Sequence, residues 1–182
     1  MTFFTADIHF GHDREFIYKD RGCDSIQEHD ERLVHNFNEC LKPDDQLYII
    51  GDVSCGRAAL EKSIEFLSQL KCKVYVIKGN HDDQLFQQRK KLPYNIHFID
   101  SVYLDINIQG QKISLCHYPM VCWNGSHWNN WLLYGHVHNK QIPLNGKTLD
   151  VSPNKDHMYP YLFEEINQII QNKPNNWDFI DN

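Results

Sequence analysis

No Cys-x-x-Cys pair occurs among the 182 residues, and the six cysteines, at 23, 40, 55, 72, 116 and 122, follow no regular framework. A disulfide scaffold is therefore excluded, and the cysteines are expected to be reduced thiols filling the core. No apolar run approaches the roughly 20 residues that a membrane-spanning helix needs. The N-terminal segment lacks the basic stretch and long apolar core of a secretion signal, so a cytoplasmic location without membrane contact is expected. Basic residues are scarce as well: 18 Lys and Arg face 24 Asp and Glu, for a net charge of -6. That balance argues against a broad basic surface for extended nucleic acid. What the chain has in excess is histidine, eleven residues in all, a side chain suited to metal ligation and proton transfer.

The length suits one domain over 1–182, with 173–182 as a loose, polar tail. Phe3 to Ile8 reads as a strand running into Asp7 and His9. Ser25-Ile26-Gln27-Glu28 has capping-box spacing, followed by Leu33, Phe37 and Leu41 at helical intervals until Pro43. Leu47 to Ile50 forms a strand into Gly51-Asp52. Leu60, Ile64 and Leu67 share a helical face, and Val74 to Ile77 leads into Gly79-Asn80-His81-Asp82. Alternation of strands and helices predicts a parallel α/β sheet. The second half predicts a hairpin of Val102–Ile108 and Lys112–Cys116 around Gln109-Gly110-Gln111. Further strands are predicted up to His136 and over Lys147–Val151, then an amphipathic helix over Phe163–Ile170.

Five of the predicted strands end in side chains that can bind a cation. Asp7-x-His9, Asp52, Asn80-His81-Asp82, His117 and His136-x-His138 follow five strands, and in open α/β sheets sites form at the carboxyl ends. Residues two apart on an extended strand share a face, so His136 and His138 are expected to point together. The donors are carboxylate, imidazole and amide, without thiolate. Such a set suits manganese, iron, zinc, cobalt or nickel better than Cu(I) or an iron-sulfur cluster. A carboxylate can bridge two cations about 3.5–4 Å apart, a pair able to promote phosphoester hydrolysis, and Asp52 is central among the candidates.

In that order the five motifs resemble the calcineurin-like metallophosphoesterase superfamily, and the likeness spans residues 7 to 138. Phe10-Gly11-His12 and the Trp-Asn segment after His117 are similar to small bacterial and phage phosphoesterases. The resemblance implies an α/β, four-layer αββα sandwich of two mixed sheets flanked by helices. It implies two divalent transition metals, manganese foremost. Asp7, His9 and His138 would hold one, Asn80, His117 and His136 the other, and Asp52 would bridge them. His81 would face the substrate phosphate and protonate the leaving group, with Asp82 orienting His81 through a hydrogen bond. Many relatives carry a further acidic residue after Gly-Asp; Val53-Ser54-Cys55-Gly56 has none.

The implied substrate is a small or nucleotide-like phosphoester. A nuclease acting on DNA or RNA ends or single strands, and a noncatalytic scaffold on the same fold, are the alternatives. The full ligand set and His81 argue for the enzyme. Between His117 and Gly135, the tryptophans either cover the sandwich edge or, at Trp123 or Trp128, stack on a substrate base. His12 and Arg14 are placed to reach a phosphate. Lys19 and Arg21 read as a solvated loop with local ion pairs, and His29, His35, His97 and His157 as surface or packing residues.

Overall fold

Successive apolar side chains of the central strands face opposite ways, and both faces are covered. The structure, a computed structural model, describes residues 1–177. In the first sheet β1 (Thr2–Thr5), β2 (Gln46–Ile50), β3 (Lys73–Ile77) and β4 (Ile96–Ile99) are parallel in the order β4-β3-β2-β1. β9 (Tyr161–Leu162) adds antiparallel beside β1. The second sheet has β5 (Tyr103–Ile108), β6 (Gln111–Cys116), β7 (Trp131–Tyr134) and β8 (Thr148–Asp150) in that order. Its β5–β6 pair is antiparallel, and β6, β7 and β8 run parallel. The fold is α/β, two mixed sheets with flanking helices: α1 (Glu15–Tyr18), α2 (Ile26–Cys40), α3 (Gly56–Gln69), α4 (Asp83–Gln87) and α5 (Phe163–Ile170).

Phe3, Leu47, Ile49, Val74 and Val76 face the helices and pack with Leu33 and Phe37 of α2 and Phe66 and Leu67 of α3. One residue along each strand, Phe4, Tyr48, Ile50 and Ile77 face the second sheet and meet Ile113, Leu115, Trp131 and Leu133. Helix α5 joins this inter-sheet cluster through Phe163, Ile166 and Ile170. The outer face of the second sheet is covered by connections: Trp123, Tyr118, Met120, Ile142 and Leu144 lie with Leu132 and Tyr134.

Helix α2 starts at Ser25, whose Oγ accepts from the Glu28 N–H at 3.2 Å. The returning bond, from the Asp24 N–H to Glu28 Oε2 at 2.7 Å, reaches one residue further out than a reciprocal box. In the hairpin the turn is Gln109-Gly110 alone, with φ of 52° and 88°. Gln111 lies in β6 and pairs with Ile108, because a two-residue turn with both φ positive matches strand twist. Neither β4 nor the two-residue β9 was expected, and β4 owes its place to its neighbour β3 rather than to a long apolar pattern.

The tail differs from expectation over its described part. Lys173 Nζ donates to Thr148 O at 2.6 Å, the Asn176 N–H to Ser126 O at 3.1 Å and Asn176 Nδ2 to Val121 O at 2.6 Å. Polar side chains here are anchors because they satisfy loop carbonyls, and Asn176 is buried. The rest of the expected tail, 178–182, lies outside the described residues.

Phe37 is fully buried, with its ring centroid 5.4 Å from that of Phe66, whereas Trp128 is 77% exposed. Phe37→Ala should therefore cost about 3–5 kcal/mol of stability. Trp128→Ala should stay within about 0.5 kcal/mol of the parent. Urea unfolding followed by circular dichroism measures both.

Candidate active site

The ends of β1, β2, β6, β7 and β8 meet backbone to backbone. Asp7 N–H donates to Gly51 O at 3.0 Å, His9 N–H to Asp52 O at 3.0 Å, Gly135 N–H to His117 O at 3.1 Å and Ala6 N–H to Val151 O at 3.2 Å. Past the strand ends the chain turns sharply: Asp7, His9, Asp52, His136 and His138 all have positive φ, between 46° and 72°. Non-glycine residues seldom adopt this conformation, and it concentrates at functional sites. One expectation fails here. β7 stops at Tyr134, so His136 and His138 do not share the face of an extended strand; their left-handed backbones send them to different clusters.

In one cluster His9 Nε2 and His138 Nε2 lie 3.6 Å and 3.7 Å from Asp7 Oδ1. In the other His117 Nε2 lies 3.0 Å from Asn80 Oδ1 and 3.4 Å from Asp52 Oδ2. His136 has a ligand atom within 4.8 Å of both Asp52 and His117. Asp52 Oδ2 is also 3.7 Å from His9 Nε2 and so stands between the clusters. Ligands bonded at about 2.1 Å to one ion stand about 3.0–3.5 Å apart, close to this spacing.

The protonation pattern fits cation binding. His117 Nδ1–H donates to Ile50 O at 3.0 Å, which turns Nε2 toward two acceptor oxygens. Asp7 Oδ1 and both ring nitrogens of His9 are enclosed and have no hydrogen-bond partner. Such orphaned buried groups are costly unless a ligand satisfies them. Burial opposes charge on Asp7, yet His9, His117 and His138 hold its carboxyl well below the usual range. Asp52 is likewise lowered despite burial, mainly by His117. Burial pulls His138 down to about 4, leaving it neutral and able to ligate.

Asn80, His81 and His136 are exposed and mark the open side. The His81 backbone N–H donates to Asp52 Oδ1 at 2.9 Å, and its ring lies 5.8 Å from that of His9. Asp82 does not orient that ring. Its carboxylate accepts instead from the N–H groups of Asp52, Val53, Ser54 and Gly79, at 2.7, 3.0, 3.3 and 2.9 Å. Buried Asp82 thereby ties the two ligand loops together, because four otherwise unpaired donors converge on it.

His12 stands at the site, its ring 5.2 Å from that of His9 and its pKa pushed down to about 4 by burial and neighbouring histidines. Arg14 is exposed and near enough to contribute to that shift. The tryptophans are elsewhere. Trp123 is enclosed, its Nε1–H donating to Asn130 O at 3.0 Å. Trp128 shares a shallow surface cavity with Gly110, Gln111 and Lys112. That is the start of β6, opposite the end that carries His117 and roughly 17–20 Å away along the strand. Neither can stack on a substrate held at the clusters.

Arg21 also overturns its expectation. It is 3% exposed, and its guanidinium donates to the carbonyls of Asp7 at 2.5 Å and Ile8 at 3.0 Å. Its Nη1 meets His29 Nε2 at 2.7 Å. His29 must accept there, so its Nδ1–H donates to Asp30 Oδ1 at 2.9 Å, an oxygen that also accepts from the Gly11 N–H at 3.1 Å. This buried chain grips the turn that presents Asp7 and His9. Ser152, also unforeseen, donates from Oγ to Asp7 Oδ2 at 2.8 Å or Asp150 Oδ1 at 2.6 Å. Its signal was only its place after the predicted strand Lys147–Val151. Lys19 does form the expected local pair, 3.3 Å from Glu15.

Carboxylates and imidazoles gathered at the carboxyl ends of two facing mixed sheets form a donor set that could hold divalent metal ions. The chain belongs to the calcineurin-like phosphoesterase family, whose sequence profile matches residues 2–181. It is similar to an uncharacterised protein of Methanocaldococcus jannaschii, at 26% identity over 73% of this chain and 66% of that one. The gene 66 protein of Mycobacterium phage L5 is 32% identical over 44% of this chain and 39% of its own. That of phage D29 is 27% identical over 78% and 80%. The matched stretch thus spans less than two thirds of the first two relatives. Among solved structures, a protein of unknown function from Aquifex aeolicus aligns with a TM-score of 0.71 at 22% identity, over 93% of this chain and 99% of that one. The E. coli phosphoesterase YfcE aligns with a TM-score of 0.52 at 21% identity, over 84% and 78%. At these identities the two structures speak to the fold.

Removing the guanidinium should loosen the first ligand turn. Arg21→Met leaves the Asp7 and Ile8 carbonyls and His29 Nε2 without a donor, and each such group costs about 1–3 kcal/mol. Arg21→Lys should recover part of the loss, since one ammonium cannot reproduce the planar fork. Urea unfolding and manganese titration by calorimetry read stability and metal affinity together.

Proposed function

We propose that this chain hydrolyses a small or nucleotide-like phosphoester with two divalent transition metals, manganese preferred. One observation carries the reading: a single oxygen, Asp52 Oδ2, lies 3.7 Å from His9 Nε2 and 3.4 Å from His117 Nε2. Asp7, His9 and His138 would hold one ion, Asn80, His117 and His136 the other, with Asp52 between them. The oxygen-and-nitrogen donor set favours manganese, with iron, zinc, cobalt and nickel also compatible. When bound, the ions supply Lewis acidity toward the phosphoryl oxygens and acidify a water poised for in-line attack.

The protein's own groups do the rest. Exposed His81, fixed by its backbone bond to Asp52, hands a proton to the departing oxygen. His12 and Arg14, on the rim beside His9, contact a phosphate from the solvent side. Asp82 and the Arg21–His29–Asp30 chain keep the ligand loops from relaxing. No helix among the described residues is long and apolar enough to cross a membrane, and the substrate is reached from water.

Purified protein with manganese should turn over bis-p-nitrophenyl phosphate, p-nitrophenyl phosphate or members of a nucleotide panel, and Asp52→Asn should lose that activity. A variant matching the parent on every substrate would sink the reading. His136→Ala and His138→Ala should each lower bound metal by a different ion, as read by elemental analysis.

Proton release gives a separate check. Burial lowers the His117 pKa, but the Asp52 carboxylate outweighs it and pushes the imidazole up to about 9. Below that pH a cation must displace the His117 proton, so apparent manganese affinity should rise about tenfold per pH unit and level off above it. Calorimetric titrations at pH 7.5 in buffers of different ionisation enthalpy should report the released proton. Identical heats in all buffers would contradict this account of the site.

A further inference from the structure

His9 belongs to two donor clusters. It is 1% exposed and neither ring nitrogen has a hydrogen-bond partner. Nε2 faces the Asp7 and Asp52 carboxylates at 3.6 and 3.7 Å. A second set gathers beside it: ligand atoms of His9, His12 and Cys55 all lie within 4.8 Å of one another. His12 Nδ1 is enclosed and unpartnered. Cys55 is a free thiol at the N-cap of α3 and makes no capping bond with its side chain. It is only half-buried, not the core filler that its sequence suggests.

The chemistry of this second set differs from that of the carboxylate clusters. Two imidazoles and a thiolate suit zinc, whereas manganese favours oxygen donors. We propose that His9, His12 and Cys55 form a third metal site, selective for zinc, whose occupation inhibits the enzyme by drawing His9 away from Asp7 and His138. On binding, the Cys55 S–H gives its proton to solvent and the thiolate takes the ion; no electron changes hands. The fourth position stays open to water. The inhibitory half of the proposal rests on the two-metal reading, while the binding half stands without it.

Cobalt serves as the spectroscopic probe for zinc. Added to the manganese-loaded chain, it should give a near-ultraviolet thiolate-to-cobalt charge-transfer band, bleached by zinc and absent in Cys55→Ala. Cys55→Ser, which keeps the size and loses the thiolate, should also lack the band. In parallel, zinc should inhibit manganese-dependent hydrolysis of bis-p-nitrophenyl phosphate. Cys55→Ala and Cys55→Ser should keep that hydrolysis and need at least about tenfold more zinc, since losing even a partner of a ligand weakens metal binding that much. A parent without the band, or a band that persists in both variants, overturns the site. Equal zinc sensitivity of parent and variants overturns the inhibition. Absence of hydrolysis with every metal would refute the two-metal reading while leaving the band intact.

Discussion

Two carboxylates held in one enclosed space govern this structure. Asp7 and Asp52 are at most 1% exposed, and charges taken out of water must be matched nearby or surrendered. The neighbouring side chains supply the match: three histidines around Asp7 and the His117 imidazole beside Asp52. Backbone N–H groups complete it, His136 to Asp7 Oδ2 at 2.6 Å and His81 to Asp52 Oδ1 at 2.9 Å. The oxygens left over, Asp7 Oδ1 and Asp52 Oδ2, are the ones that face imidazole nitrogens.

Crowding the strand ends this closely sets conditions on the backbone. A Cβ at Gly135 would overlap Asp7 Oδ2 across the two sheets, and one at Gly79 would overlap the Asp52 amide and carboxylate within the first sheet, so only glycine allows the strand ends to approach this closely. The left-handed turns at Asp52 and Asp7 are held from behind by Asp82 and by Arg21. Rigidity at the oxygens that would face a cation is thus produced by groups that would not touch one, as in metal sites generally.

The parts of this arrangement that were legible in the sequence are those written locally. The Ser25 cap, the strand alternation and the amphipathic Phe163–Ile170 helix depend on neighbours a few residues away. The ligand candidates were legible because each follows a strand. Arg21 was misjudged because its partners, Asp7, Ile8 and His29, become neighbours only when α1 and α2 fold over the first turn. Trp123 and Trp128 looked near the site because they lie between two ligand strands, yet parallel strands require their connection to return to the far end of the sheet. The paired histidines lie in different clusters rather than on one strand face, because β7 ends before them.

The Ser152 to Asp7 bond joins residues 145 apart in sequence, and the His136 amide reaches Asp7 across 129. During synthesis at about 5–20 residues per second, roughly 7–30 s separate the appearance of Asp7 from that of Ser152. Through that interval the first sheet can form from its own parallel pairs, but its two carboxylates face no completed pocket. The nascent chain therefore carries half a site, and its capacity to capture a cation arrives late, with the second sheet.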